Sequence, residues 1–341
     1  MRRFACDCGS PVYFENDFCI NCQSALGYDP NRADLITLAD WGGGVFKDFQ
    51  GNAFRYCSNG ESFGVCNWLR PADSPSQFCT ACQFNRTVPD QTRPKNKERW
   101  LVLERGKKRL FYTLAQLSLP LLNGWADPQR GLLLDFIEDA RTSDKFPETF
   151  VSTGYLGGVI TINAVEADDV ARATVQDELG ESYRTVLGHL RHESGHYYWS
   201  LLNPDVRLLG EFRQVFGDER SNYQAALDVH YKNGPPMYWR DRFISSYASS
   251  HPSEDWAECW GHYLHIYDAL DTAWAHQLLP RQPGSMTMSE RLRAWSKVSL
   301  MLNELNRSVG RGDAYPFVIN EVVAEKLELI DLAMDRLRTL R

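Results

Sequence analysis

The 341-residue sequence predicts an α+β chain: a mostly helical unit with a small sheet, residues 91–341, preceded by a cysteine-rich region, residues 1–90. Three observations lead there. Eight of the nine cysteines precede residue 83, and only Cys259 follows. Apolar residues recur at helical spacing from about Asn96 to Leu119, from about Asp177 to Leu202, and through most of 205–339. Strand-like runs in the second part are few: LLLDFI (132–137) and GGVITINA (157–164) are apolar or β-branched and bounded by turn residues, which places a small sheet ahead of the 177–202 helix.

Composition narrows the function. A net charge of -7 argues against a protein built to neutralise nucleic-acid phosphates. The opening MRRFACDCGS lacks the apolar run of a secretory signal, so a cytoplasmic chain is expected. The segment LFYTLAQLSLPLLNGW is broken by Gln116, Ser118, Pro120 and Asn123, short of the roughly 20 apolar residues that span a bilayer. No membrane helix is expected.

The cysteines fall into two quartets. Cys6, Cys8, Cys19 and Cys22 enclose only PVYF and a polar turn, too little to make a core, so four thiolates around Zn²⁺ are the expected source of folding free energy. Cys57, Cys66, Cys79 and Cys82 form the second set. Sequential pairing closes shorter loops than an interleaved arrangement and is favoured, with interleaving left open. Clustered pairs in a cytosolic chain point to metal rather than disulfides or core thiols. Before residue 91 basic residues do not outnumber acids, so these two sites suit a structural or protein-binding role better than nucleic-acid binding. The stretch NRTVPDQTRPKNKERW is polar, contains two prolines and reads as a connector. RGKKR (105–109) reads as a solvated helix surface.

On the 177–202 helix lies LRHESGHYYW. His192 and His196 are four residues apart, so both rings leave one helix face and can share one ion. Glu193 points to the neighbouring sector, where a carboxylate can take a proton from an activated water without being a ligand, the arrangement that suits hydrolysis. A catalytic zinc commonly has three protein ligands. The glycine and histidine of a metzincin are absent, since Trp199 and Leu202 stand there. The third ligand must then come from farther away, and YASSHPSEDWAECWGHYLHIYDAL (247–270) offers His251, Glu254, Asp255, Glu258, His262 and His265 on a helix starting near Pro252. Glu254 and Glu258 lie one turn apart, so one can bind metal while the other orients a ligand histidine from behind. His262 and His265 are too far along to share an ion with Glu254. His189 is expected on the helix face and Cys259 as a buried thiol.

HESGH together with EDWAE resembles a gluzincin metallopeptidase, and Tyr247 to Glu258 resembles the lethal-factor type of catalytic domain. The full layout resembles a bacterial family of zinc-binding metallopeptidases that carry an N-terminal zinc ribbon. The resemblance implies a zincin-like fold, Glu254 as third ligand, Glu258 as the acidic residue one turn later, and Tyr247 assisting the reaction. It implies one catalytic and two structural zinc ions and a peptide or protein substrate, with Glu193 as general base. GGVITINA is then the candidate edge along which an extended peptide lies. Two other readings are an adaptor whose ribbons bind a protein or nucleic acid on an inactive scaffold, and a zinc hydrolase of non-peptide amides.

Overall fold

The computed structural model describes residues 2–139, 151–169 and 185–340. It is an α+β protein whose packing forms two compact units: Arg2–Tyr112 with Leu122–Arg172, and Thr113–Leu121 with Ala173–Arg341.

In the first unit, strands β1 (Phe4–Ala5) and β2 (Pro11–Val12) form a hairpin beneath the first cysteine quartet. A five-stranded antiparallel sheet follows in chain order, β3 (Ala25–Asp29), β4 (Asp34–Gly42), β5 (Val45–Lys47), β6 (Ala53–Tyr56) and β7 (Leu69–Pro71). The β4–β5 turn runs through Gly42, Gly43 and Gly44 at φ 86°, 61° and 73°, a left-handed path open to glycine at little cost. Helix α1 (Ser58–Phe63) lies between β6 and β7. The buried rings of Phe14, Tyr28 and Trp68 pack in sequence, Phe14 edge-on to Tyr28 and Tyr28 tilted on Trp68, with centroids 4.8 and 4.7 Å apart.

Two expectations change here. The segment expected to be a connector begins as a strand: β8 (Asn85–Thr87) pairs in parallel with β9 (Leu133–Ile137), and Arg86 is ion-paired to the buried Asp135. Arg86 reaches Asp135 and Asn85 reaches Glu104, so composition alone hid the strand. GGVITINA is not an edge. Strand β11 (Val159–Asn163) lies inside a sheet of order β10-β11-β9-β8, antiparallel to β10 (Gly154–Leu156) and parallel to β9, so its backbone groups are taken on both sides. The turn from β10 to β11 is Gly157–Gly158, both at positive φ, as a two-residue hairpin requires.

Helix α2 (Asn96–Gln116) begins where helical periodicity predicts it. The second unit is helical among its described residues: α3 (Val186–Leu202), α4 (Val206–Val215), α5 (Tyr223–Asn233), α6 (Pro252–Ala275), α7 (Met288–Ser308) and α8 (Glu321–Arg338). The part of the expected 177–202 helix before residue 185 lies outside the described residues. Trp199, Phe212, Trp256 and Trp260 form the aromatic core of this unit, Trp199 stacking on Phe212 at 4.2 Å. No helix among the described residues is long and apolar enough to cross a membrane.

Candidate metal centres

Helix α3 starts at Thr185, whose side chain accepts from Gly188 N, and α6 starts at His251, with Pro252 in the first helical position. The two helices approach most closely at Gly195, inside HESGH. A Cβ there would stand 3.0 Å from Ala257 Cα and 3.1 Å from Trp260 Cβ, so the glycine sets the separation. Trp256 Nε1 donates to Gly195 O and Trp260 Nε1 to Ser194 Oγ, both at 3.0 Å, which locks the register. Burying two indoles while satisfying both N–H groups is the strongest kind of aromatic anchor.

That register faces His192 and His196 toward Glu254 and Glu258. His192 Nε2 lies 3.0 Å from Glu254 Oε2, and His196 Nε2 lies 3.4 Å from Glu254 Oε1. The donor atoms of His192, His196 and Glu254 all fall within 4.8 Å of one another. A tetrahedral zinc bonded at about 2.0–2.1 Å needs its N and O ligands roughly 3.4 Å apart, so this spacing fits the ion. On the other side of the ring, His192 Nδ1 donates to Glu258 Oε1 at 2.7 Å. This leaves Nε2 as the nitrogen turned toward Glu254.

The electrostatics call for a cation. Burial opposes charge on His192, but Glu254 and Glu258 outweigh it and hold its pKa well above the ordinary value. Glu254 is buried, yet both histidines keep its carboxyl well below the usual range. Glu258 is held at about 2 against its own burial, chiefly by His192. Asp255 turns elsewhere: its Oδ2 pairs with the buried Lys326 on α8 at 2.6 Å. His262 is buried with Nδ1 2.9 Å from the Tyr315 hydroxyl, and Cys259 is a buried thiol 3.6 Å from Asp255.

Glu193 is buried beside this cluster. Tyr247, half-buried, has its ring 5.9 Å from the His192 ring. Its hydroxyl pKa is pushed far up by burial, then by the charges of Glu254 and Glu193, so it is a proton donor at any working pH. One residue at this cluster went unread in the sequence: the Tyr223 hydroxyl donates to Glu254 Oε1 at 2.7 Å. Tyr223 stands thirty-one positions before Glu254 in a segment without a motif, and nothing in the local pattern marks it.

The thiols gather sequentially, Cys6 with Cys8, Cys19 and Cys22, and Cys57 with Cys66, Cys79 and Cys82. Sulfur–sulfur distances of 3.5 Å (Cys6–Cys22), 3.7 Å (Cys8–Cys19 and Cys66–Cys79) and 3.8 Å (Cys66–Cys82) separate them. Those are near the edge of a tetrahedron with Zn–S of about 2.3 Å, roughly 3.8 Å, and far from a disulfide bond. All nine cysteines are free thiols. In the first quartet, hydrogen bonds from Ser10 lower the exposed Cys8 to about 6, while burial raises Cys6 to about 11.

The second quartet corrects the expectation for RGKKR. Arg105 and Arg109 are exposed, but Lys107 and Lys108 are buried under the thiols. Lys107 Nζ pairs with the buried Glu104 at 2.9 Å, and Lys108 Nζ donates to Val65 O at 2.7 Å, next to Cys66. Burial works against the Lys108 charge, but Cys66, Glu104 and Cys82 overcome it and raise its pKa. A lysine run that looks solvated in one dimension faces a buried quartet of thiols in three.

A family model described as "Putative zinc-binding metallo-peptidase" matches residues 96–333. The chain belongs to this metallopeptidase family. A zinc-ribbon domain model matches residues 3–93. An uncharacterized protein of Mycobacterium bovis and its counterparts in two strains of Mycobacterium tuberculosis are each 39% identical over 344 residues, covering 98% of this chain and 96% of theirs. No solved structure matches the chain. The metallopeptidase family and its ribbon are thus those that the HESGH, EDWAE and cysteine motifs resemble, and among the described residues three groups of side chains, two of thiols and one of His/His/Glu, can hold metal.

Proposed function

We propose that the chain is a zinc-dependent peptidase of the gluzincin kind, in which His192, His196 and Glu254 hold the catalytic ion and Glu193 is the general base. The observation that carries the reading is the convergence of the His192, His196 and Glu254 donor atoms within 4.8 Å, with Glu258 on the far nitrogen of His192. When bound there, zinc supplies a Lewis acid that lowers the pKa of water and polarises a peptide carbonyl. Glu193 accepts one proton from the attacking water as its oxygen bonds to the carbonyl carbon, then delivers it to the nitrogen as the C–N bond breaks. Tyr247 keeps its hydroxyl proton and donates to the carbonyl oxygen as negative charge develops. Glu258 fixes the tautomer and the angle of His192.

The modules are proposed as residues 1–90, a ribbon region with two structural zinc ions, and 91–341, the peptidase. The family matches at 3–93 and 96–333 support that division. Tyr13, Phe18 and Ile20, exposed around the first quartet, support protein binding by the ribbon, and nine free thiols support a reducing, cytoplasmic setting.

Glu193→Gln tests the mechanism, because an amide cannot take the proton. Turnover of an unbiased peptide library is expected to fall by roughly 10²–10⁴ while three zinc ions per chain remain by metal analysis. Peptide hydrolysis at the wild-type rate by the glutamine variant removes Glu193 from the reaction.

A further inference from the structure

Tyr223 opens helix α5, a helix with no buried residue in its eleven, so apolar packing does not hold it in place. Two polar devices hold its first turn. Asn222 caps it by accepting from Ala225 N, and His251 ties it to α6. The buried His251 accepts from Ser253 N through Nδ1 at 3.1 Å, so its proton sits on Nε2, which donates to Ser221 O at 3.2 Å. The His251 ring also meets the Tyr223 ring edge-on, centroids 5.1 Å apart at 77°. The cap of the helix that carries Glu254 therefore aims the tyrosine at Glu254.

The carboxylate has two oxygens and both are addressed. Oε2 stands 3.0 Å from His192 Nε2, and Oε1, 3.4 Å from His196 Nε2, receives the Tyr223 hydroxyl at 2.7 Å. A carboxylate that binds a divalent ion through both oxygens fills a position that water and substrate need in a catalytic site. One that gives an oxygen to a strong donor does not.

We infer that Tyr223 is a positioning residue: its hydroxyl occupies Glu254 Oε1 and leaves Oε2 as the single oxygen offered to the ion. The inference rests on the peptidase reading for the presence of that ion. Tyr247 is proposed to act on the substrate carbonyl, whereas Tyr223 acts through the ligand.

The test uses full-length protein that retains zinc in both thiolate centres and takes one equivalent of cobalt(II) into the third site. The visible absorption of four-coordinate cobalt is strong and weakens severalfold as the coordination number rises. Tyr223→Phe, with wild-type thermal stability, is expected to give the weaker spectrum and a lower kcat. His251→Asn keeps an N-cap acceptor but removes the ring beside Tyr223, and is expected to shift the spectrum the same way by less. An unchanged cobalt spectrum in Tyr223→Phe overturns the inference whatever happens to turnover, since a hydroxyl that serves only the fold or the substrate leaves the ion's geometry alone. Wild-type protein that takes up no third ion, matching His196→Ala, removes the peptidase reading itself, so the two failures are distinct.

Discussion

The second cysteine quartet and the His/His/Glu cluster are both groups of metal donors, but they are built to opposite ends. The quartet draws Cys57, Cys66, Cys79 and Cys82 from one stretch of chain, all buried, with Lys108 beneath them as counter-charge. Four donors on one ion leave no side open. The other cluster draws three donors from α3 and α6, leaves His192 and His196 partly exposed, and surrounds them with groups that hold or give protons: Glu193, Tyr247, Tyr223 and Glu258. A closed donor set with a matched buried charge serves the fold, and an open one ringed by proton donors and acceptors serves chemistry.

The comparison breaks most visibly at Cys66. Cys66→Ser is expected to release one zinc ion and cost about 3–5 kcal/mol, because the metal that ties the quartet together is lost and the buried Lys108 keeps only Glu104 as a carboxylate neighbour. Thermal unfolding with metal analysis measures both, and a variant as stable as wild type means the lysine is not charge-matched to the quartet. At the open cluster the expected cost is in rate. Tyr247→Phe should retain all three ions and lose roughly 10–10³ in kcat, the scale of one oxyanion donor. Wild-type kcat in the folded, metal-loaded variant makes Tyr247 a core aromatic only. Glu258→Ala should weaken the third ion by about 10–100-fold, read by chelator competition, with both thiolate sites unaffected. Equal affinity would show that His192 needs no support from behind.

One further effect belongs to a histidine outside both sets. Burial lowers His262 to about 4 from an ordinary 6.5. The unfolded chain takes up the proton first, so the stability that a neutral His262 permits is fully present above pH 6.5 and lost as pH falls toward 4. The slope is about 1.4 kcal/mol per pH unit at most. His262→Gln should flatten the denaturant-derived stability profile in that window, and an unaltered profile assigns the acid sensitivity to other groups.

The parts legible in the sequence were those whose chemistry repeats at short spacing. HESGH puts two histidines on one helix face, paired cysteines announce their quartets, and Pro252 marks the start of α6. What the sequence hid depends on contacts between distant segments. β8 is polar because Arg86 pairs with Asp135 and Asn85 bonds Glu104, not because it is a linker. β11 is apolar and β-branched, as an edge or an interior strand can be, and only its two neighbours decide. Lys107 and Lys108 look solvated until Glu104 and the thiols surround them. Tyr223 has no motif, since its meaning comes from where α5 begins relative to Glu254.

Lys108 under the second quartet also bears on how the protein matures. Before zinc arrives, the fixed negative charge beside the buried Lys108 is Glu104, 3.8 Å away and shared with Lys107, so closing α2 over the quartet leans on thiols that must first lose their protons. Arrival of the metal turns the thiols into thiolates and makes the same closure favourable. Synthesis in metal-starved cells would therefore leave this helix unseated, so abundance of the protein, and not only its occupancy, should follow the zinc supply.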